Sequence, residues 1–192
     1  LLSTVRREDF VPLAHKALAF VDMEIPLGAA PNQVMLAPRV QARLLQDLAV
    51  LNTDKVLDVG TGSGFMAALL AHQAASVLSL EIDPALASQA QAKLQQAGVS
   101  NVTVRCADGS QGAAADGPFD AIVLNGSVAE VPAALLQQLT VGGRLGAIVG
   151  QEPMMRATLI TRTGQNSWTT TEPWDCNAPR LSGFAEPSSF HF

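Results

Sequence analysis

The sequence predicts an α/β fold: a Rossmann-like, doubly wound, mostly parallel sheet between helical layers (three-layer α-β-α), with an antiparallel C-terminal hairpin. Three observations carry that prediction. Between Lys55 and Val149, short apolar runs alternate with stretches of helical period, the pattern of parallel strands joined by helical crossovers. The first run stops at a glycine-rich turn, Asp58-Val59-Gly60-Thr61-Gly62-Ser63-Gly64, with a helix expected directly behind it. Beyond Val149 the alternation ends, and two β-prone runs flank Gly164-Gln165-Asn166, a hairpin signal.

Residues 1 to about 33 show no clear alternation and are punctuated by Pro12, Pro26, Gly28 and Pro31. Val40, Leu44, Leu48 and Leu51 recur at helical spacing, so a helix is expected from Pro38 to near Asn52. Lys55 to Val59 reads as the first core strand, Phe65 to Ala75 as a helix and Ser76 to Leu80 as the second strand. Asp83 is a natural N-cap, Pro84 suits the first helical position, and Gly98 can close that helix. Asn101 to Cys106 is the third strand, with Val102 and Val104 alternating, and Phe119 to Leu124 is the fourth. Pro132 to Leu139 reads as helix, and Gly142-Gly143 turns the chain into a fifth strand, Arg144 to Val149. Thr158 to Arg162 and Trp168 to Thr171 form the hairpin, with Trp168 and Trp174 expected to pack it.

The 192 residues suit one domain, 1–192, with 1–37 a cap on the substrate side and 38–192 the core. Apolar residues make up 48% of the chain and charged ones 15%, which fits a buried sheet rather than a disordered chain. The formal net charge of -5 gives no electrostatic footprint for nucleic acid. Cys106 and Cys176 form no CxxC pair and read as reduced thiols of a cytoplasmic protein. His15, His72 and His191 have no metal-ligand spacing and read as structural or surface residues, so no metal is expected. No apolar run is long enough to span a membrane, and no signal peptide is visible. The chain begins Leu1-Leu2-Ser3 without methionine, which points to residues preceding Leu1.

The glycine turn carries the chemistry. Glycines there let the backbone turn tightly and approach a ligand, and the following helix offers unpaired N–H groups. A dinucleotide fingerprint is G-x-G-x-x-G, but here the third glycine, Gly64, comes one residue early and Phe65 takes its place. Asp58, two residues before Gly60, would repel a pyrophosphate; it suits a ligand with an ammonium group, as S-adenosylmethionine has on its methionine end. Glu81 follows the second strand, where a carboxylate can accept from both ribose hydroxyls, or can be a solvated loop charge. Asp108-Gly109 follows the third, where Asp108 can accept from an adenine amino group or cap a turn. Three acids at three successive strand ends beside a glycine turn mark one ligand site.

Asp58 to Gly64, Leu80-Glu81, Asp108-Gly109, Phe119-Asp120-Ala121-Ile122-Val123 and Val141-Gly142-Gly143-Arg144-Leu145 resemble the successive motifs of class I S-adenosylmethionine-dependent methyltransferases. Val5-Arg6-Arg7-Glu8-Asp9-Phe10-Val11-Pro12, Asp22 with Ile25-Pro26-Leu27-Gly28, and Asn101-Val102-Thr103-Val104 with Asp108-Gly109 resemble the protein-L-isoaspartate O-methyltransferase family. The resemblance covers most of the chain and weakens after Gly150. It implies methyl transfer from S-adenosyl-L-methionine, leaving S-adenosyl-L-homocysteine, to an isoaspartyl carboxylate of a damaged protein or peptide. The ester then closes to a succinimide that can reopen as aspartate. The cofactor set it implies is Val34, Met35, Asp58, Gly60, Thr61, Gly62, Ser63, Gly64, Glu81, Ile82, Asp108, Gly109 and Asn125. It assigns no catalytic residue.

One departure falls on the acceptor side. Where the family carries Q-T-I-S-x-P, this chain has Gln33-Val34-Met35-Leu36-Ala37-Pro38, which puts Leu36 at the serine; Gly28 to Val40 holds no serine or threonine at all. Two further readings therefore stand beside the first: a diverged paralogue with another acceptor, and a module that binds the cofactor without transferring a methyl group. Amine methylation of the N-P-P-Y type is disfavoured, because Gly126-Ser127-Val128 follow Asn125.

Overall fold

The computed structural model describes residues 4–187. Short 3-10 turns at Arg7–Asp9 and Leu13–Leu18 lead into a small antiparallel pair, β1 (Ile25–Pro26) and β2 (Val34–Met35). Then follow α1 (Pro38–Leu48), β3 (Lys55–Val59), α2 (Phe65–Ala71), β4 (Ser76–Glu81), α3 (Pro84–Gln96), β5 (Val102–Cys106), β6 (Phe119–Val128), α4 (Ala133–Gln137), β7 (Leu139–Gln151), β8 (Met154–Gly164) and β9 (Ser167–Asp175). His191 lies outside the described residues. No helix among them is long and apolar enough to cross a membrane.

The central sheet has the order β5-β4-β3-β6-β7-β8-β9. Pairings from β5 to β7 are parallel, and β8 and β9 are antiparallel. The expected fold class is the observed one. The chain winds outward from β3 through β4 to β5, then returns to lay β6 on the other side of β3. That reversal makes the C-terminal ends of β3 and β6 a topological switch point, the place where open α/β sheets bind ligands.

Strand alternation splits the core in two. Val56, Val77, Ala121, Val123 and Ile148 face α1, α2 and the N-terminal cap. Leu57, Leu78, Ile122, Leu124 and Leu145 face the other side with Leu135 of α4. Each strand of the buried middle is therefore apolar on both faces, which is why it reads as a continuous hydrophobic run.

Several boundaries differ from the expectation, each for a local reason. Helix α1 stops at Leu48 because Ala49 adopts a left-handed conformation, φ 46°, and the Leu51 N–H then turns to Asp54 Oδ2. Helix α2 stops at Ala71, and the Asn101 carboxamide caps the carbonyls of Ala71 and Ala74. Gly142-Gly143 is a bulge inside a long β7 rather than a turn before a short strand; the β6–β7 register shifts across it. Consequently α4 is only Ala133–Gln137, and Leu139 is already strand. The hairpin forms as expected, with Trp174 donating to Asp47 Oδ2 and Trp168 to the Leu136 carbonyl.

The cap is anchored by polar ties to the core. The buried Arg7 guanidinium donates to the carbonyls of Ala19 and Leu36 and to Gln41 Oε1 of α1, and stacks over Phe65. Gln33 Nε2 donates to Asp83 Oδ2 at the N-terminus of α3, and Lys93 Nζ to the Phe10 carbonyl.

Candidate active site

A cavity opens at the switch point, above the ends of β3, β4 and β6. Its floor is the glycine turn. Gly60 and Gly62 both have positive φ, and the N–H groups of Gly60 and Thr61 both donate to the Leu80 carbonyl, which pins the turn to β4. Leu27 and Val34 of the cap form one wall. The opposite wall comes from a segment after β9: Arg180, Leu181, Ser182 and Phe184.

That segment is held by sheet-like bonds. The Ser127 N–H donates to the Pro179 carbonyl, and the Leu181 N–H to the Ser127 carbonyl, so the tail pairs in parallel with the end of β6. Leu181 packs on the glycine turn; a side chain at Gly60 would meet Leu181 Cδ2 at 2.9 Å, and one at Gly126 would meet Leu181 Cγ at 2.8 Å. Asn32 of the cap donates to the Arg180 carbonyl and to Ser182 Oγ, closing one side of the cavity.

Of the residues singled out in the sequence, Val34, Gly60, Gly62, Glu81, Ile82, Gly109 and Asn125 line this cavity. Met35 and Leu36 are buried in the core instead. Thr61, Ser63 and Gly64 sit in or behind the turn, with Ser63 Oγ accepting from the Phe65 N–H. Asp108 is exposed and accepts from the Ser110 N–H; a Cβ on Gly183 would lie 2.6 Å from its Oδ1, so the tail passes over it. Leu27 stood in the Ile25–Gly28 motif but outside the expected cofactor set, and Asn32 and the Arg180–Phe184 wall carried no motif. Pro179 and Gly183 were the sole local hint that this stretch holds a set path.

The carboxylates are wired into the turn. Glu81 takes the Gly62 N–H on Oε2 at 2.8 Å and the Asp83 N–H on Oε1 at 3.0 Å. Each of its oxygens keeps further acceptor capacity, and Glu81 lines the cavity. Asp58 is fully buried, and both its oxygens are taken: Oδ2 accepts from Ser79 Oγ and Oδ1 from Asn125 Nδ2, each at 2.5 Å. Thr61 extends this chain to Ser79 at 2.6 Å. Asn125 also donates to the Gly60 carbonyl, which fixes its orientation and leaves Oδ1 buried without a partner among the described residues.

Burial pushes the Asp58 carboxyl up to about 7, with the Glu81 charge adding to the push and hydrogen bonds from Ser79 and Asn125 opposing it. In the unfolded chain the same group titrates near 4. Between those values the native state binds more protons, so the contribution to stability is full below about 4 and is lost as pH rises to about 7. Asp58→Asn keeps the size and removes the titration. Thermal melts of the cofactor-free protein from pH 5 to 8 are expected to show a steeper fall for wild type than for this variant. Parallel curves would contradict it.

The profile of the protein-L-isoaspartate(D-aspartate) O-methyltransferase family matches residues 1–176. Protein-L-isoaspartate O-methyltransferase 2 of Marinobacter nauticus is 40% identical over 168 residues, 87% of this chain and 76% of that protein. A protein-L-isoaspartate O-methyltransferase of Koribacter versatilis is 37% identical over 184 residues, 95% of this chain and 81% of that one. Among solved structures, a Plasmodium falciparum chain described as a protein-L-isoaspartate O-methyltransferase in complex with S-adenosyl-L-homocysteine superposes with a TM-score of 0.79. It shares 18% identity, over 93% of this chain and 88% of that one, and so speaks for the fold.

Proposed function

The chain belongs to the protein-L-isoaspartate(D-aspartate) O-methyltransferase family, and on that premise we propose how its site holds S-adenosylmethionine and directs a carboxylate toward it. It is an S-adenosylmethionine-dependent O-methyltransferase whose substrates are proteins or peptides carrying isoaspartate. The free thiols of Cys106 and Cys176 suit a reducing, cytoplasmic setting.

One observation carries the cofactor assignment. Asn125 Oδ1 is a buried acceptor with no donor among the described residues, held in place by Asp58 and the Gly60 carbonyl. A buried unpaired acceptor is costly, and an ammonium group would satisfy it. The ammonium of the methionine end therefore belongs beside Asn125, with the Asp58 carboxyl one side chain behind. Glu81 takes the ribose hydroxyls, and Ile82, an exposed apolar side chain at the cavity wall, offers the adenine a flat contact. Gly60, Gly62 and Gly109 give the ligand close access to backbone; a Cβ at Gly109 would collide with Val59 Cγ1 at 2.4 Å.

Bound there, the cofactor supplies an electrophilic methyl group and leaves as a neutral thioether. The chain's own share is positioning. Leu27, Val34, Leu181 and Phe184 supply apolar walls around the reacting centre. No general base is required, because a carboxylate nucleophile is ionised at neutral pH. The deciding experiment is methyl transfer to an isoaspartyl peptide, followed as base-labile methyl ester. Wild type is expected to form the ester and to bind S-adenosylhomocysteine. Binding without ester would reject the carboxylate acceptor and favour the diverged paralogue that Leu36 suggests.

A further inference from the structure

The acceptor half of the site lacks the family's hydroxyl, and Leu36 does not replace it: its side chain is buried in the core and its carbonyl is taken by Arg7. We propose that Arg180 binds the acceptor carboxylate, at the junction between the cofactor cavity and a second groove beside the β7–β8 turn. This rests on the isoaspartyl reading above.

Arg180 is the one cation among the described residues lining the cofactor cavity. It also lines the neighbouring groove, with Gln151, Glu152, Met155 and Glu186. A residue that contributes to both walls stands where a peptide lying in the groove would meet the cofactor cavity. The tail's extended path sets its direction. Leu181 packs down on Gly60, and Arg180, one residue earlier, sends its guanidinium to the ends of β6 and β7. There Nη1 donates to the Gly150 carbonyl at 2.9 Å and to Ser127 Oγ at 3.3 Å, which locks the group over the strand ends.

The same guanidinium already holds a carboxylate. Nε meets Glu186 Oε1 at 2.7 Å, and Glu186 is half exposed, on the tail beyond the cavity wall. Nη2 has no partner among the described residues, so the Nε–Nη2 edge can take a carboxylate through two parallel bonds. Glu186 therefore occupies the position of an incoming isoaspartyl group and competes with it. An arginine also suits this chemistry because it stays charged and leaves the carboxylate ionised, hence nucleophilic.

The test is steady-state methylation of an isoaspartyl peptide by the whole chain, with calorimetric titration of S-adenosylhomocysteine. Arg180→Gln is expected to raise KM for the peptide about 10-fold or more, far beyond any fall in kcat, with cofactor affinity retained. Arg180→Lys should fall between, since it keeps the charge and loses the fork. Glu186→Gln should move the other way and lower KM, as the internal competitor is removed. An unchanged KM in Arg180→Gln, or KM and the S-adenosylhomocysteine Kd rising together by one factor, would overturn the proposal, the latter by reducing Arg180 to a tether of the tail. If wild type forms no ester, the isoaspartyl reading fails and takes this inference with it; if wild type does, and Arg180→Gln matches its KM, the inference alone fails.

Discussion

Gly60→Val is expected to lower affinity for S-adenosylhomocysteine by about 100-fold while the sheet stays folded. Gly60 has φ +85°, a conformation that a β-branched residue adopts at a cost of about 1–3 kcal/mol. Its Cβ would lie 2.9 Å from Leu181 Cδ2 and 3.7 Å from Asn125 Cβ, and the two methyl groups would extend further into the space between them. Overpacking of that kind costs about 1–3 kcal/mol more, so the turn is expected to relax away from this path, and restoring it on binding at about 3 kcal/mol is roughly two decades of affinity. The fold should persist because strand pairing around β3 runs from Lys55 to Val59 and does not include Gly60. Calorimetric titration beside a thermal melt checks both halves. Affinity close to wild type would remove the glycine turn from the site.

Arg7→Ala is expected to destabilise the protein by about 3 kcal/mol, which for a domain of this size lowers Tm by roughly 6–12 °C. Arg7 is 5% exposed and donates from Nε to the Ala19 carbonyl and from Nη2 to the Leu36 carbonyl, both at 2.9 Å, and from Nη1 to Gln41 Oε1 at 2.5 Å. Its guanidinium carbon lies 5.0 Å from the Phe65 ring centre. Burial pulls its pKa down to about 10, so it stays charged at neutral pH. Truncation leaves buried acceptors without donors and a void against Phe65, two losses that add. Arg7→Lys would recover little, since an ammonium cannot fork to three acceptors in these directions. Chemical denaturation gives the measurement, and a loss under about 1 kcal/mol would show that the cap is held by its apolar contacts alone.

Arg7 also shows what sequence reading can and cannot reach. Within the protein-L-isoaspartate O-methyltransferase family it stands in a recognisable run, yet nothing local says that its partners are Ala19, Leu36 and Gln41, because those contacts depend on how the cap folds back. The core was legible for the opposite reason. Apart from Asp58 and Ser79, the runs Val56 to Val59, Val77 to Leu80 and Ala121 to Leu124 are apolar on both faces, and burial on both faces leaves a nearly continuous signal. The Asp83-Pro84 start of α3 was legible because a cap is a local device: Asp83 Oδ1 accepts from the N–H groups of Ala85 and Leu86. Gly142-Gly143 misled because a bulge and a turn use the same residues, and the choice between them is made by the partner strand. Gly60, Gly62, Glu81, Gly109 and Asn125 could be picked out as neighbours around one cavity because glycines and polar groups at successive strand ends are a local pattern. The wall from Arg180 to Phe184 was not, since its two bonds to Ser127 are made by backbone atoms that every residue carries.

That wall has a consequence for how the protein is made. A ribosome synthesises every described strand of the seven-stranded sheet before it reaches Ala178, so that sheet can assemble with one side of its pocket still open. The pocket is complete only when Leu181 packs on the glycine turn and Asn32 bonds the Arg180 carbonyl. A chain arrested after β9 would hold the architecture of a methyltransferase without the grip, and retention on immobilised S-adenosylhomocysteine would sort finished molecules from unfinished ones.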